Sequence, residues 1–142
     1  MAKITASVRR CSAWMVFLSQ CTMTCAETYY VDVNSLNPTA PYTNWATAAT
    51  TIQDAVDLTS TGDVVLGTNG VYNTGTRIVP GQSLPNRLVV ETWIFIRSVN
   101  GPEVTIIEGD GPDASNAVRC INFRTSAASI EGVHHNKRSY LG

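Results

Sequence analysis

Hydrophobic residues in this chain recur in short runs rather than at helical spacing. The runs are rich in Val, Ile and aromatic residues, which pleated strands prefer, and polar residues alternate with them. The pattern predicts seven strands, at residues 29–33, 64–66, 87–90, 93–99, 104–108, 117–123 and 129–133.

Clusters of Gly, Pro and Asn separate most of the predicted strands. Gly permits positive φ and the Pro ring fixes φ, so both residue types favour turns over regular structure. These clusters lie at residues 69–70, 73–75, 80–81, 100–102 and 109–112, and a longer loop is predicted at 34–44. The chain after residue 62 is therefore predicted to be a series of brief strands joined by turns.

One segment, residues 50–58, has the pattern of a short amphipathic helix. Thr50 and Gln53 have the spacing of a capping box, and Gly62 follows at a position where it can end the turn. The apolar residues that can share one helix face are Ile52, Ala55, Val56 and Leu58. This face is predicted to cover another part of the fold.

Short strands in this number can form a sandwich, a barrel or a solenoid. Aliphatic residues recur at a nearly constant interval in the pairs Val65 and Val89, Ile96 and Ile121, and Ile106 and Ile130. This spacing favours an all-β solenoid, a right-handed parallel β-helix in which each coil stacks on the next. The helix near Thr50–Leu58 is placed to cap the open first edge.

Residues 1–26 have the three-part pattern of a secretory signal peptide. Basic residues come first, an apolar run follows at 13–18, and small Ala26 precedes Glu27. A transmembrane anchor is the alternative interpretation, but the segment 11–26 is shorter than a span and contains several polar residues. The protein is therefore predicted to be secreted or on the cell surface, with no membrane span in the mature chain.

Removal of residues 1–26 changes the composition of the protein. It leaves one small domain and lowers the formal net charge, because three basic residues and no acidic residue are lost from a chain of net charge −1. An acidic domain lacks the basic surface that binds the phosphates of nucleic acid. Three of the four cysteines are lost too, which excludes a disulfide framework and leaves Cys120, interpreted as a small buried residue.

Several sequence blocks, in this order, resemble the N-terminal region of pectate-lyase-like right-handed parallel β-helix proteins, in particular large secreted or surface-anchored proteins of bacteria. The resemblance covers residues 29–133. Its blocks are Tyr29-Tyr30-Val31-Asp32, Trp45-Ala46-Thr47-Ala48-Ala49, Ile52-Gln53-Asp54-Ala55-Val56-Asp57, Gly62-Asp63-Val64-Val65-Leu66, Asn69-Gly70-Val71-Tyr72 and Arg97-Ser98-Val99-Asn100-Gly101-Pro102. It implies that residues 27–133 form the cap and opening coils, with either Val65 or its neighbours Val64 and Leu66 pointing inward.

The resemblance implies Ca²⁺-assisted β-elimination of acidic polysaccharides in catalytic members of this superfamily. Such chemistry needs converging oxygen ligands and a placed base. No such pattern is visible here, so we expect no catalytic residues, no metal ligands and no cofactor in this chain, although Ca²⁺ is compatible with a longer parent protein. Substrate-binding residues and oligomeric state stay open.

Several residues have side chains that could bind a ligand or a metal ion. Asp63 is interpreted as a turn residue, and the cluster of Glu108, Asp110 and Asp113 as a solvated turn. Adjacent His134 and His135 point to opposite faces of an extended segment, which disfavours a metal site. Trp45 and Trp93 either pack against the fold or stack on sugar rings. Four arginines are predicted to lie singly on outward positions without a visible partner: Arg87, Arg97, Arg119 and Arg124.

The β pattern is predicted to stop after Val133, so residues 134–142 are expected to be an atypical tail after about two coils, either disordered or the product of a truncated gene. Two functions remain. One is a secreted β-helix whose parent binds or cleaves extracellular polysaccharide, with no complete catalytic site in this chain. The other is a noncatalytic surface or adhesive β-helix that acts as a structural or interaction module.

Overall fold

Strands dominate the computed structural model, which describes residues 25–111 and 117–137. The predicted signal peptide lies almost entirely outside the described residues. Residues Trp45–Thr47 form a 3₁₀ turn. The other elements are β1 (Thr28–Val31), α1 (Ile52–Val56), β2 (Val64–Gly67), β3 (Gly70–Tyr72), β4 (Asn86–Val90), β5 (Phe95–Ser98), β6 (Thr105–Gly109), β7 (Arg119–Phe123), β8 (Ser129–Glu131) and β9 (His134–Lys137).

The strands form three parallel sheets around one core. Sheet A has the order β1-β2-β5-β8, sheet B has β3-β6-β9, and sheet C has β4-β7. The chain visits A, B and C in turn, so β2, β3 and β4 form one coil, β5, β6 and β7 the next, and β8 and β9 open a third. The protein is an all-β parallel solenoid of about three turns, which confirms the predicted fold class.

The length of a coil differs from the predicted repeat. Val65 pairs with Ile96, and Ile96 pairs with Ile130, so both coils are longer than the predicted interval and the second is longer than the first. The predicted interval is wrong because it joins residues of different sheets: Val65 belongs to sheet A, whereas Val89 belongs to sheet C. Loops of unequal length between the sheets remove any constant sequence period.

The core is a stack of aliphatic side chains from all three sheets. Val65 and Ile96 of sheet A, Ile107 of sheet B and Leu88 of sheet C are essentially inaccessible to solvent. The neighbours of Val65 in β2, Val64 and Leu66, stay half-exposed, so Val65 is the inward residue of this strand. Alternation along β1, β2 and β6 thus separates an inner column from an outer face, whereas Leu88, Val89 and Val90 of β4 are all buried.

The capping helix α1 is present but shorter than predicted. Its N-cap is Thr51 rather than Thr50, and the Thr51 Oγ1 accepts a hydrogen bond of 3.1 Å from the Asp54 N–H. Three of the predicted apolar residues are buried, but Leu58 lies beyond the helix end and is 43% exposed, so its assignment to the apolar face is wrong. The helix packs against β1, β2 and β4.

A buried glutamine joins the cap to the solenoid by hydrogen bonds. The Gln53 Oε1 accepts from the Val89 N–H at 2.7 Å, and its Nε2 donates to the Val89 C=O at 3.3 Å. The side-chain amide therefore occupies the place of a neighbouring strand beside β4. This pairing satisfies backbone groups that would otherwise be open to another chain.

Two strands were missed by the sequence pattern. Strand β9 pairs in parallel with β6, so the prediction that the β pattern stops after Val133 is wrong for residues 134–137. Strand β3 was not predicted, and its first residue, Gly70, belongs to the turn predicted at 69–70, yet the strand pairs with the start of β6. Both strands contribute to sheet B, and residues 138–142 of the predicted tail lie outside the described residues.

Candidate functional site: the aromatic outer face of sheet A

The outer face of sheet A carries aromatic side chains near solvent. Strand register places two outward rows across the four strands. One row is Thr28, Val64, Phe95 and Ser129, and the other is Tyr30, Leu66, Arg97 and Glu131. We call Tyr30, Trp45, Trp93 and Phe95 the aromatic face.

Trp45 is held over the first strand of this sheet. The 3₁₀ turn that carries it begins at Asn44, whose Oδ1 accepts a hydrogen bond of 3.1 Å from the Thr47 N–H. The same loop pairs with β1, because the Ala49 N–H donates to the Tyr30 C=O at 2.9 Å. The rings of Tyr30 and Trp45 meet edge to face, with centroids 4.6 Å apart, and Trp45 is 43% exposed.

Trp93 lies two residues before Phe95, the first residue of β5, and Phe95 and Arg97 share the outer side of this strand. The Trp93 and Phe95 centroids are 6.2 Å apart, and the Arg97 Cζ lies 5.8 Å from the Phe95 centroid. The Trp93 C=O accepts a hydrogen bond of 2.8 Å from the Gly62 N–H, which anchors the backbone here. Trp93 nevertheless leaves 47% of its surface exposed.

One ion pair supplies the charge of this face. The Arg97 Nε lies 3.1 Å from the Glu131 Oε2 on the adjacent strand, and both side chains are at least half-exposed. The pair joins β5 to β8 directly across the register. It places a donor group and an acceptor group side by side next to the aromatic rings.

The geometry suits a flat, extended ligand. Tyr30 and Phe95 project from strands two positions apart in the sheet, which corresponds to about 10 Å. Rings held by a sheet present fixed apolar surfaces at little conformational cost, and a sugar ring offers apolar C–H groups to them. Each tryptophan contacts another aromatic ring, which agrees with the packing interpretation, and leaves nearly half of its surface exposed, so stacking on sugar rings stays a prediction.

Asp63 is confirmed as a turn residue. It is buried, its Oδ1 accepts from the Glu27 N–H at 2.9 Å, and its Oδ2 accepts from the Ser60 N–H at 2.7 Å. Both carboxylate oxygens are therefore engaged by backbone groups ahead of β2.

The four arginines do have partners, so their predicted isolation is wrong. Besides Arg97, Arg124 lies 3.3 Å from Glu91, and Arg119 donates to the Gln82 Oε1 at 2.8 Å. Arg87 donates to the backbone carbonyls of Glu108 and Gly75. These contacts were hidden from the sequence because each partner is distant along the chain or belongs to another coil.

The acidic cluster separates in the fold. Glu108 belongs to strand β6, is half-buried and accepts from the Asn73 Nδ2 at 3.3 Å. Asp110 forms a backbone bridge with Val118, and Asp113 lies outside the described residues. The interpretation as a solvated turn is therefore wrong for Glu108 and Asp110. Within residues 25–111 and 117–137, no three His, Cys, Asp or Glu side chains gather closely enough to hold a metal ion.

The two histidines have different surroundings at the end of the solenoid. His134 pairs with Ile106 near Glu103, whereas His135 lines a cavity of about 600 Å³ at the third coil. Cys120 lines the same cavity and is half-buried rather than buried, with its Sγ donating to the Asn136 C=O at 2.9 Å. The other lining residues are Ile121, Phe123, Ala128, Ile130 and Val133.

Comparisons of the chain with protein-family models, curated proteins and solved structures found no match. In the part of the chain that the structure describes, no helix has the length and apolar character needed to cross a membrane.

The sequence pattern pointed to both tryptophans but missed three partners of this site: Tyr30, Phe95 and Glu131. Alternation along residues 93–97 carries a signal for Phe95, because every second residue of a strand shares a face. Tyr30 and Glu131 carry no such signal. Their proximity to the other members depends on the register between strands that are distant along the chain.

Proposed function

We propose that this chain is the cap and opening coils of a secreted, pectate-lyase-like β-helix protein, and that it binds extracellular polysaccharide on its aromatic face without cleaving it. The observation that carries the proposal is the aromatic face itself. Four rings lie on one side of sheet A, and both tryptophans leave more than two fifths of their surface in water.

Binding to a sugar chain gives these exposed rings an apolar partner. Removing aromatic and sugar C–H surface from water is favourable by roughly 25 cal/mol per Å² of apolar area. The rings do not need to be ordered on binding, because sheet register and loop hydrogen bonds already hold them. Repeated shallow contacts of this kind match an extended polymer better than a small molecule that requires a deep pocket.

The contacts of Asp63, Glu91 and Glu131 make these three carboxylates poor candidates for a catalytic base, which favours binding over cleavage. Cleavage by β-elimination needs a base that is free to take a proton from the substrate. The Asp63 carboxylate is bonded to two backbone N–H groups, and Glu91 and Glu131 are each paired with an arginine. Location outside the cell follows from the predicted signal peptide at residues 1–26.

Affinity electrophoresis of the purified 142-residue chain in gels that contain different polysaccharides tests this proposal. We expect at least one polysaccharide to retard the chain, and Trp93→Ala to weaken that binding about fivefold, since an aromatic contact contributes on the order of 1 kcal/mol. Phe123→Ala is the matched control, because Phe123 is an aromatic residue of similar exposure on sheet C.

Absence of retardation by every polysaccharide would refute the proposal, and so would equal weakening by Trp93→Ala and Phe123→Ala. Release of unsaturated uronates from polygalacturonate with Ca²⁺ present would refute its noncatalytic part. Capture of a protein ligand that is insensitive to Trp93→Ala would instead favour the structural or adhesive module.

A further inference from the structure

The outer face of sheet A is balanced in charge. Among its outward strand positions, only Arg97 and Glu131 carry a charge at neutral pH, and these two form an ion pair across β5 and β8. The formal charge of the face is therefore zero. Thr28 and Ser129 add uncharged hydroxyl groups at the ends of the other row.

An acidic polysaccharide would meet an unfavourable arrangement on this face. A uronate carboxylate would have to compete with Glu131 for Arg97, and the Glu131 carboxylate beside it would repel the incoming group. Arg97 is held in addition by its position over the Phe95 ring. The chain as a whole has eleven acidic and ten basic residues, so it has no net positive charge that would attract a polyanion.

An uncharged sugar fits the same arrangement without such competition. Each sugar hydroxyl is both a donor and an acceptor, so it can donate to Glu131 and accept from Arg97 while the ion pair stays intact. The adjacent rings of Phe95 and Trp93 offer apolar surface to the sugar C–H groups. Polar groups beside a ring are the arrangement that orients a ligand whose main contact is apolar.

We infer that the aromatic face selects neutral polysaccharides, built from uncharged hexose or pentose units, over uronate-rich polysaccharides. This inference rests on the proposed function and names its ligand class. The Arg97–Glu131 pair sets the selectivity, because Glu131 cancels the positive charge that would otherwise attract an acidic chain.

The test compares retardation of the full chain by a soluble mixed-linkage β-glucan, by xylan and by galactomannan with retardation by polygalacturonate, at low and at physiological salt. We expect at least one neutral polysaccharide to bind and polygalacturonate to bind at least fivefold more weakly. A difference of this size corresponds to about the free energy of one exposed charge pair. Glu131→Gln leaves Arg97 without its partner, so we expect it to strengthen polygalacturonate binding about fivefold at low salt and to leave neutral binding nearly unchanged.

Glu91→Gln is the matched control. It removes the same charge from an exposed carboxylate that is also paired with an arginine, Arg124, but lies at the end of β4 in sheet C. It should not change binding to polygalacturonate by more than about twofold.

Three outcomes separate this inference from the proposed function. If polygalacturonate binds as tightly as the best neutral polysaccharide and Trp93→Ala abolishes both, the inference fails and the proposed function stands. If Glu131→Gln and Glu91→Gln strengthen polygalacturonate binding equally, overall charge sets the selectivity and the inference fails. If no polysaccharide binds, the proposed function fails as well.

Discussion

Short polar side chains hold the turns of this solenoid through bonds to the backbone. The Ser98 Oγ accepts from the N–H groups of Asn100 and Gly101, at 3.2 and 3.0 Å, where the chain passes from sheet A to sheet B. The Asn100 Nδ2 donates to the Asn69 Oδ1 at 2.7 Å, which joins this turn to the equivalent turn of the preceding coil. Such bonds satisfy backbone groups that no strand pairs.

Tyr72 makes the protein less stable at alkaline pH than at neutral pH. Its hydroxyl lies within hydrogen-bond distance of the carbonyls of Val31 and Thr68, at 3.2 and 2.8 Å. Burial, and secondarily the Asp32 carboxylate, raise the pKa of Tyr72 to about 12. The folded state therefore keeps the phenol proton at a pH where the unfolded chain, with a pKa near 10, has lost it.

The raised pKa of Tyr72 stabilises the folded state at neutral pH, and this stabilisation decreases at alkaline pH. The contribution of Tyr72 is complete below about pH 10 and is lost as the pH rises towards 12. We expect the free energy of unfolding, measured by urea titration with circular dichroism, to fall by about 1 kcal/mol between pH 8 and pH 11. The Tyr72→Phe variant should lose less free energy of unfolding over this interval. The loss that remains is expected to come from Tyr29, because burial raises the pKa of this residue too. Equal losses in the two proteins would contradict the assignment.

At the scale of elements, α1 covers the solenoid with a single short helix at Ile52–Val56. A helix this short has little stability by itself and depends on tertiary contacts. Its contacts are of two kinds, since Ile52, Ala55 and Val56 are buried against the strands while Gln53 bonds to Val89. The hydrogen bonds of the Gln53 side chain fix the position of the helix beside β4. Apolar packing alone would leave the helix free to shift.

Replacement of Gln53 tests this role. Gln53→Leu keeps the approximate size and helix propensity of the side chain but leaves two backbone groups of Val89 without partners in a buried place. We expect the free energy of unfolding to fall by about 2 kcal/mol in urea titration. Gln82→Leu is the control, because the Gln82 Oε1 accepts from the side chains of Arg119 and Asn122 rather than from a buried strand. A loss as large in the control would contradict a special role for Gln53.

At the scale of the whole molecule, each coil is stabilised by the coils next to it. Strands β2 and β5 have a strand on both sides, whereas β8 and β9 have one described neighbour each, β5 and β6. Burial follows this order along sheet A. The inward residues Val65 and Ile96 are at most 2% exposed, whereas Ile130 of β8 is only half-buried.

Hydrogen exchange should follow the same order. We expect the amides of β2 and β5 in the full chain to exchange at least about tenfold more slowly than those of β8 and β9, because opening β2 or β5 disrupts two strand interfaces. Mass spectrometry of peptic fragments provides the measurement. Uniform protection along sheet A would show that the described coils open as one unit instead.

The sequence predicted most strands because they combine β-branched and aromatic residues with flanking turns. It missed β3 and β9 for different reasons: Gly70 at the start of β3 is typical of a turn, and His134–Lys137 has no hydrophobic alternation. Both are strands because β6 lies between them and offers paired backbone groups on each edge. The N-cap at Thr51 rather than Thr50 likewise depends on where the helix meets the strands.

The sequence by itself determined the all-β class and the short cap, because alternation, turn residues and helix periodicity are local properties of neighbouring residues. Only the tertiary structure decided the length of each coil, the partners of the arginines and the composition of the aromatic face. Those properties depend on register between strands far apart in the chain, and loops of unequal length set that register. The tryptophans were visible in the sequence, but the contact of Trp45 with Tyr30 and the ion pair of Arg97 with Glu131 depend on the tertiary structure.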